Sequence, residues 1–73
     1  MTKQIRYNKL WKMLVDKKMS KGDLRKAIGL APNTMTKLRR DEEVSLSVII
    51  RICEHLNCDI SDIMELVTVE EHT

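Results

Sequence analysis

The stretch Ser20–Arg40, SKGDLRKAIGLAPNTMTKLRR, constrains this chain more than any other. Ser20 is a residue type that caps a helix N-terminus, and Asp23, three positions on, completes a capping box with Asp in place of Glu. Leu24, Ala27 and Ile28 follow at i, i+3 and i+4, the spacing of one helical face. Gly29 ends that helix where a left-handed residue is wanted, and Leu30 is the apolar residue of the turn, directed inward. Pro32 then stands at the first position of a second helix, where its missing N–H costs nothing. From this helix Met35 and Leu38 face the core, while Asn33, Thr34, Thr36, Lys37, Arg39 and Arg40 are left outward or flanking. Ala31 is a weak N-cap, so the second helix starts less firmly than the first.

Two short helices joined by a Gly-containing turn form the helix-turn-helix pattern, whose second helix can enter the major groove of DNA. Ala27 adds to the pattern, since a small residue there lets two helices cross closely. The competing reading is an ordinary helical hairpin, which would share some of these residues.

The flanks extend the helical reading. Tyr7 to about Lys18 carries Leu10, Met13 and Leu14, with Tyr7, Trp11 and Val15 beside them, and predicts a helix ending in the basic pair Lys17–Lys18. Met1–Arg6 reads as a polar, basic lead-in, frayed at its start. After the polar loop Asp41–Val44, Ser45 caps a fourth helix. Its apolar face holds Leu46, Ile49, Ile50, Cys53 and Leu56, widened by Val48 and Ile52, and Asn57 stops it. Asp59 and Asp62 form a further cap pair before Ile60, Ile63 and Met64, a short fifth helix. Leu66–Val69 is apolar and Glu70–Thr73 is a polar tail. The 73 residues allow one domain, 1–73, with its core over about 7–66 and a tail from 67 to 73.

Charge is divided along the chain. Net charge is only +2, but residues 1–40 hold twelve Lys and Arg against two Asp, while residues 41–73 hold one Arg against nine Asp and Glu. A domain with a basic side and an acidic side suits a polyanion on the basic one, and nucleic acid is the commonest such partner.

Other chemistry is poorly supplied. No nucleophile–base pair or paired-carboxylate cleft stands out, and two glycines are too few for a phosphate-cradling loop, so an enzyme is not expected. Cys53, His55, Cys58 and Asp59 invite a metal, but Cys53 and His55 lie about 200° apart around a helix at ~100° per residue. No metal or cofactor is therefore expected, and His72 on the tail carries no signal. Reduced cysteines, the lack of a membrane-spanning apolar run and the lack of a leader predict a soluble, cytoplasmic protein with no membrane partner. No small-molecule site is evident.

The run MSKGDLRKAIGLAPNTMTKLRR followed by VSLSVIIRICEHLNCDISDIMEL resembles the Cro/C1-type (XRE-like) helix-turn-helix domains of bacterial and phage transcription regulators, over about Tyr7 to Leu66. It is most similar to short, single-domain members. The resemblance implies an all-α, compact five-helix fold of the lambda-repressor type, with helices 2 and 3 binding double-stranded DNA. Carried over by position, Pro32, Asn33, Thr36 and Lys37 would face base edges. Asn33 can bond adenine in bidentate fashion, and Lys37 can donate to guanine acceptors. Lys21, Thr34, Arg39 and Arg40 are placed for phosphates, with Arg6 and Lys9 as outer candidates. The loop Asp41–Glu42–Glu43 departs from the pattern, because a loop near the DNA backbone would favour Lys or Gly.

Ile60, Ile63, Met64, Val67 and Val69 give the C-terminal end more apolar surface than five short helices bury. The resemblance implies a two-fold contact there, hence a homodimer on two half-sites. The functional expectation is a sequence-specific transcriptional regulator, a repressor occupying an operator. The alternative is a helical protein-interaction adaptor, anti-repressor or antitoxin-like, with the same fold and weak DNA binding.

Overall fold

A computed structural model of the chain describes residues 1–70; residues 71–73, with the end of the expected tail and His72, lie outside them. The chain runs β1 (Thr2–Arg6), α1 (Asn8–Asp16), α2 (Lys21–Ile28), α3 (Pro32–Arg39), α4 (Leu46–Leu56), one 3-10 turn (Ile60–Asp62) and β2 (Glu65–Val69).

The helix-turn-helix forms for the local reasons its residues supply. The Ser20 hydroxyl accepts the Asp23 N–H at 3.0 Å, and the Asp23 carboxylate accepts the Ser20 N–H at 2.9 Å, closing the capping box. Gly29 ends α2 at φ 67, a left-handed conformation that costs a residue with a Cβ about 1–2 kcal/mol. Pro32 opens α3, and Ala31 before it makes no side-chain cap.

Leu24, Leu30, Met35 and Leu38 of this unit are all buried and meet Leu10 and Leu14 of α1 and Ile49, Ile52 and Leu56 of α4. Each such side chain contributes on the order of 1.5–3 kcal/mol by leaving water. Tyr7, at the start of α1, joins this core and is 1% exposed. Burial is the main reason its phenol is pushed above its ordinary pKa, and its hydroxyl donates to the Glu42 carbonyl at 2.8 Å.

Several expectations are corrected. The fold is not all-α with five helices: the described residues hold four α-helices and a two-stranded sheet. The basic lead-in is β1, paired antiparallel with β2 in the register Thr2↔Val69 to Arg6↔Glu65. On one face Lys3 donates to the Thr68 hydroxyl at 2.7 Å. The expected fifth helix is a single 3-10 turn, closed by the Asp59–Asp62 capping box. It stops because the chain must straighten at once to reach β1.

Two apolar assignments also change. Ala27 is exposed and does not mediate the crossing of α2 and α3. On α4 the buried stripe is Ile49, Ile52 and Leu56, which leaves Leu46 and Ile50 70% and 52% exposed. The apolar residues of this helix form a face wider than the core covers, so its sequence does not say which edge of that face turns inward.

Asn57 ends α4 at φ 52, and the Cys58 N–H donates to the Cys53 carbonyl at 3.0 Å. This helix ending places both thiols side by side against the core. Burial, with Cys58 beside it, pushes the Cys53 thiol up to about 11. Among the described residues no three potential metal ligands cluster, and no helix is long and apolar enough to cross a membrane.

Candidate nucleic-acid interface

α3 is held from behind. Met35 and Leu38 are locked into the core at 5% and 0% exposure, so the opposite side of the helix is fixed outward. Pro32, Asn33 and Lys37 are exposed on it, and Thr36 is half-buried. The Thr36 hydroxyl donates to the Pro32 carbonyl at 3.0 Å and accepts from Arg39 at 3.3 Å. Its hydrogen-bonding capacity is thus turned to its own helix. Among the described residues Asn33 and Lys37 have no side-chain partner, and Pro32 presents an apolar ring.

The candidate phosphate residues fall into two groups. Arg39 and Arg40 are exposed at the end of α3, and Thr34 is half-buried near its start. Lys21 opens α2, but its ammonium sits over the Trp11 ring, 4.5 Å from the centroid. The two outer candidates are occupied: Arg6 pairs with Asp41 at 3.2 Å, while Lys9 donates to the Ser61 carbonyl at 3.2 Å and lies 3.9 Å from Glu65.

The acidic loop has a structural role that sequence reasoning missed. Asp41, at φ 57, accepts from Arg6 through one carboxylate oxygen and from the Tyr7 N–H through the other, at 3.1 Å. It therefore caps the start of α1 from the far end of α3. Glu42 reaches only as far as Arg40, at 4.0 Å between two exposed side chains, a pair of little energetic weight.

Lys37 lies on an open cleft of about 510 Å³ lined also by Lys3, Gln4, Ile5, Leu66 and the three acidic loop residues. Lys3 and Gln4 of β1 are thus neighbours of the α3 surface. Nothing in the local sequence pointed there, since only the strand pairing brings them in.

At the C-terminal end, the residues expected at a dimer contact separate. Ile63 is 0% exposed in the protomer's own core and is unavailable, which corrects its assignment. Met64 is half-buried against that core. Ile60 is 42% exposed, and Val67 and Val69 are half-buried in β2.

A capped helix, a left-handed glycine turn and a second helix anchored by two core residues define a helix-turn-helix DNA-binding domain. The sequence profile of the Cro/C1-type HTH DNA-binding domain matches residues 9–68, and the chain belongs to that family. A solved structure, the crystal structure of transcriptional regulator VanUg, Form II, is 49% identical, with a TM-score of 0.89 over 92% of this chain and 89% of that one. No curated relative matches.

Proposed function

We propose that this protein is a sequence-specific transcriptional regulator that occupies an operator as a homodimer and represses from it. The observation that carries the reading is the exposure of Asn33 and Lys37 on a helix whose other side, Met35 and Leu38, is fixed in the core. A reading head held this way loses little conformational freedom on entering the major groove. Asn33 then pairs with the N6 and N7 edge of adenine and Lys37 donates to guanine O6 or N7. Pro32 and the Thr36 methyl supply apolar contact, for instance to a thymine methyl.

Phosphate contacts from Arg39, Arg40, Thr34 and Lys21 fix the register and supply the salt-dependent part of the affinity. Arg6 and Lys9 take a lesser part, because binding phosphate would break their present pairs with Asp41, Ser61 and Glu65.

The second protomer joins through the C-terminal end. β2, ELVTV, has one edge left by its pairing with β1, and no Lys or Pro blunts it. Val67, Val69 and Ile60 accompany that edge, together with Leu66, which is 61% exposed. Two copies related by a two-fold axis would read half-sites about one helical turn apart.

Selection of bound sequences from a random duplex pool tests the whole reading. A palindromic consensus is the expected product; failure to enrich any sequence at low salt refutes it.

A further inference from the structure

Away from the exposed face of α3, a groove of about 380 Å³ runs between the second half of α1 and the start of α2. Trp11, Leu14, Val15 and Met19 form its apolar walls, with Ser20 and Lys21 at the end. Val15 is 73% exposed and Trp11 and Met19 are only half-buried, so the groove is open apolar surface that the fold itself does not cover.

The surroundings are mainly basic. Lys12, Lys17, Lys18 and Lys21 stand along this stretch against Asp16, with Asp23 hydrogen-bonded to the Ser20 N–H at 2.9 Å. Lys18 is held at φ 57 where the chain reverses after α1, and Lys21 is fixed over the indole at 4.5 Å. An ammonium stacked on an aromatic ring is already oriented, so a carboxylate can meet it with little further loss of side-chain freedom.

We propose that this groove docks an acidic, amphipathic segment of a partner protein: an apolar side chain enters between Trp11, Val15 and Met19, and flanking carboxylates meet Lys21 and Lys18. Charge complementarity selects the acid, and the apolar walls select protein over nucleic acid. A DNA backbone offers no apolar group to bury against Val15 and Met19, and a purely ionic partner would leave that surface in water. The inference does not depend on operator binding by α3. It gives the domain a surface through which another protein can act on it.

Trp11 is the chain's single tryptophan, so its emission reports the groove directly. The probe is a synthetic helical peptide with a Leu stripe and a Glu-rich opposite face, titrated into the full chain. The control is the same peptide with each Leu replaced by Ser, which keeps the charge. The expected result is a saturable Trp11 emission shift with the Leu peptide, at least about fivefold weaker with the Ser peptide and in Val15→Gln.

Val15 is exposed, so the fold is expected to survive that change, and unaltered far-ultraviolet dichroism confirms that it does. Equal binding of the two peptides would make the groove an ionic surface only and overturn the proposal. An absence of binding, or an emission shift produced by raising the protein's own concentration alone, would overturn it as well, the latter by making a second copy the occupant.

Discussion

The Arg6 guanidinium donates to the Asp41 carboxylate at 3.2 Å, joining the last residue of β1 to the residue on which the chain leaves α3. The other oxygen of the same carboxylate accepts the Tyr7 N–H at the start of α1. One side chain therefore fixes the strand end, the first helix and the exit of the helix proposed to read DNA. An acidic loop that looks unfavourable beside DNA is in part a bracket for that helix.

Asp41→Ala removes the cap and leaves a Cβ residue without local side-chain bonding at φ 57, so a loss of about 2 kcal/mol is expected in urea unfolding. Asp41→Asn keeps an acceptor and tolerates the left-handed backbone. It loses only the partly exposed ion pair, about 0–1 kcal/mol. Equal effects of the two variants would refute the bracket.

The two glycines should respond in opposite directions. Gly29 has φ 67, and a Cβ there would lie 3.6 Å from an Arg51 nitrogen, which is ordinary contact. Gly29→Ala is thus limited by its backbone and should cost about 1 kcal/mol. Gly22 sits inside α2 with a Cβ site 3.7 Å from the Ser20 hydroxyl, so Gly22→Ala should stabilise by about 0.5 kcal/mol. Thermal midpoints of the two variants check the pair.

Asp23 gives the capping box a pH dependence. The Ser20 backbone N–H, and then the Ser20 hydroxyl, hold its carboxyl below the ordinary 3.8. The folded state thus favours the ionised form. Its contribution is fully present above the unfolded value and is lost as pH falls through the lower, folded one. Urea midpoints of the native chain and of Asp23→Asn should differ at pH 6 and converge as acid protonates the carboxyl in the folded state. A difference unchanged by acid would mean that the carboxylate's charge has no part in the cap.

DNA binding should separate readers from anchors. Arg40→Gln is expected to weaken binding to all duplexes alike and to reduce the slope of log K against log salt by about 0.9. Asn33→Ala and Lys37→Gln should instead flatten the preference at one base pair each, by about 1–3 kcal/mol of discrimination. Binding measured across a salt series, against the selected site and its single-base variants, distinguishes the two. A uniform loss from Lys37→Gln would reassign that residue to phosphate.

The part of the fold legible in the sequence is the part made by short-range rules. Ser20 with Asp23, Gly29, Pro32, Ser45, Asn57 and Asp59 with Asp62 each act within a few residues, and the structure places every one as its chemistry requires. Met35 and Leu38 were equally clear, because a short polar helix with two apolar residues on one side has one way to face a core. From these followed the helix-turn-helix and the outward position of Asn33 and Lys37.

Tertiary structure alone decided the rest. TKQIR holds one apolar residue and becomes a strand only because ELVTV, more than sixty residues later, supplies its hydrogen bonds. The same return path draws Ile63 into the core and puts Lys3 on the same cleft as Lys37. On α4, where the apolar residues spread over more than one side, which of Ile49 and Ile50 is buried was settled by which side the other helices covered. In the sequence Asp41 is one acid of a loop that departs from the family pattern, and only the fold brings Arg6 and the Tyr7 N–H to its carboxylate. Caps and turns are local, and one sequence window contains both partners; strand pairing, helix facing and inter-element bonds take their partner from elsewhere in the chain, so only the folded molecule specifies them.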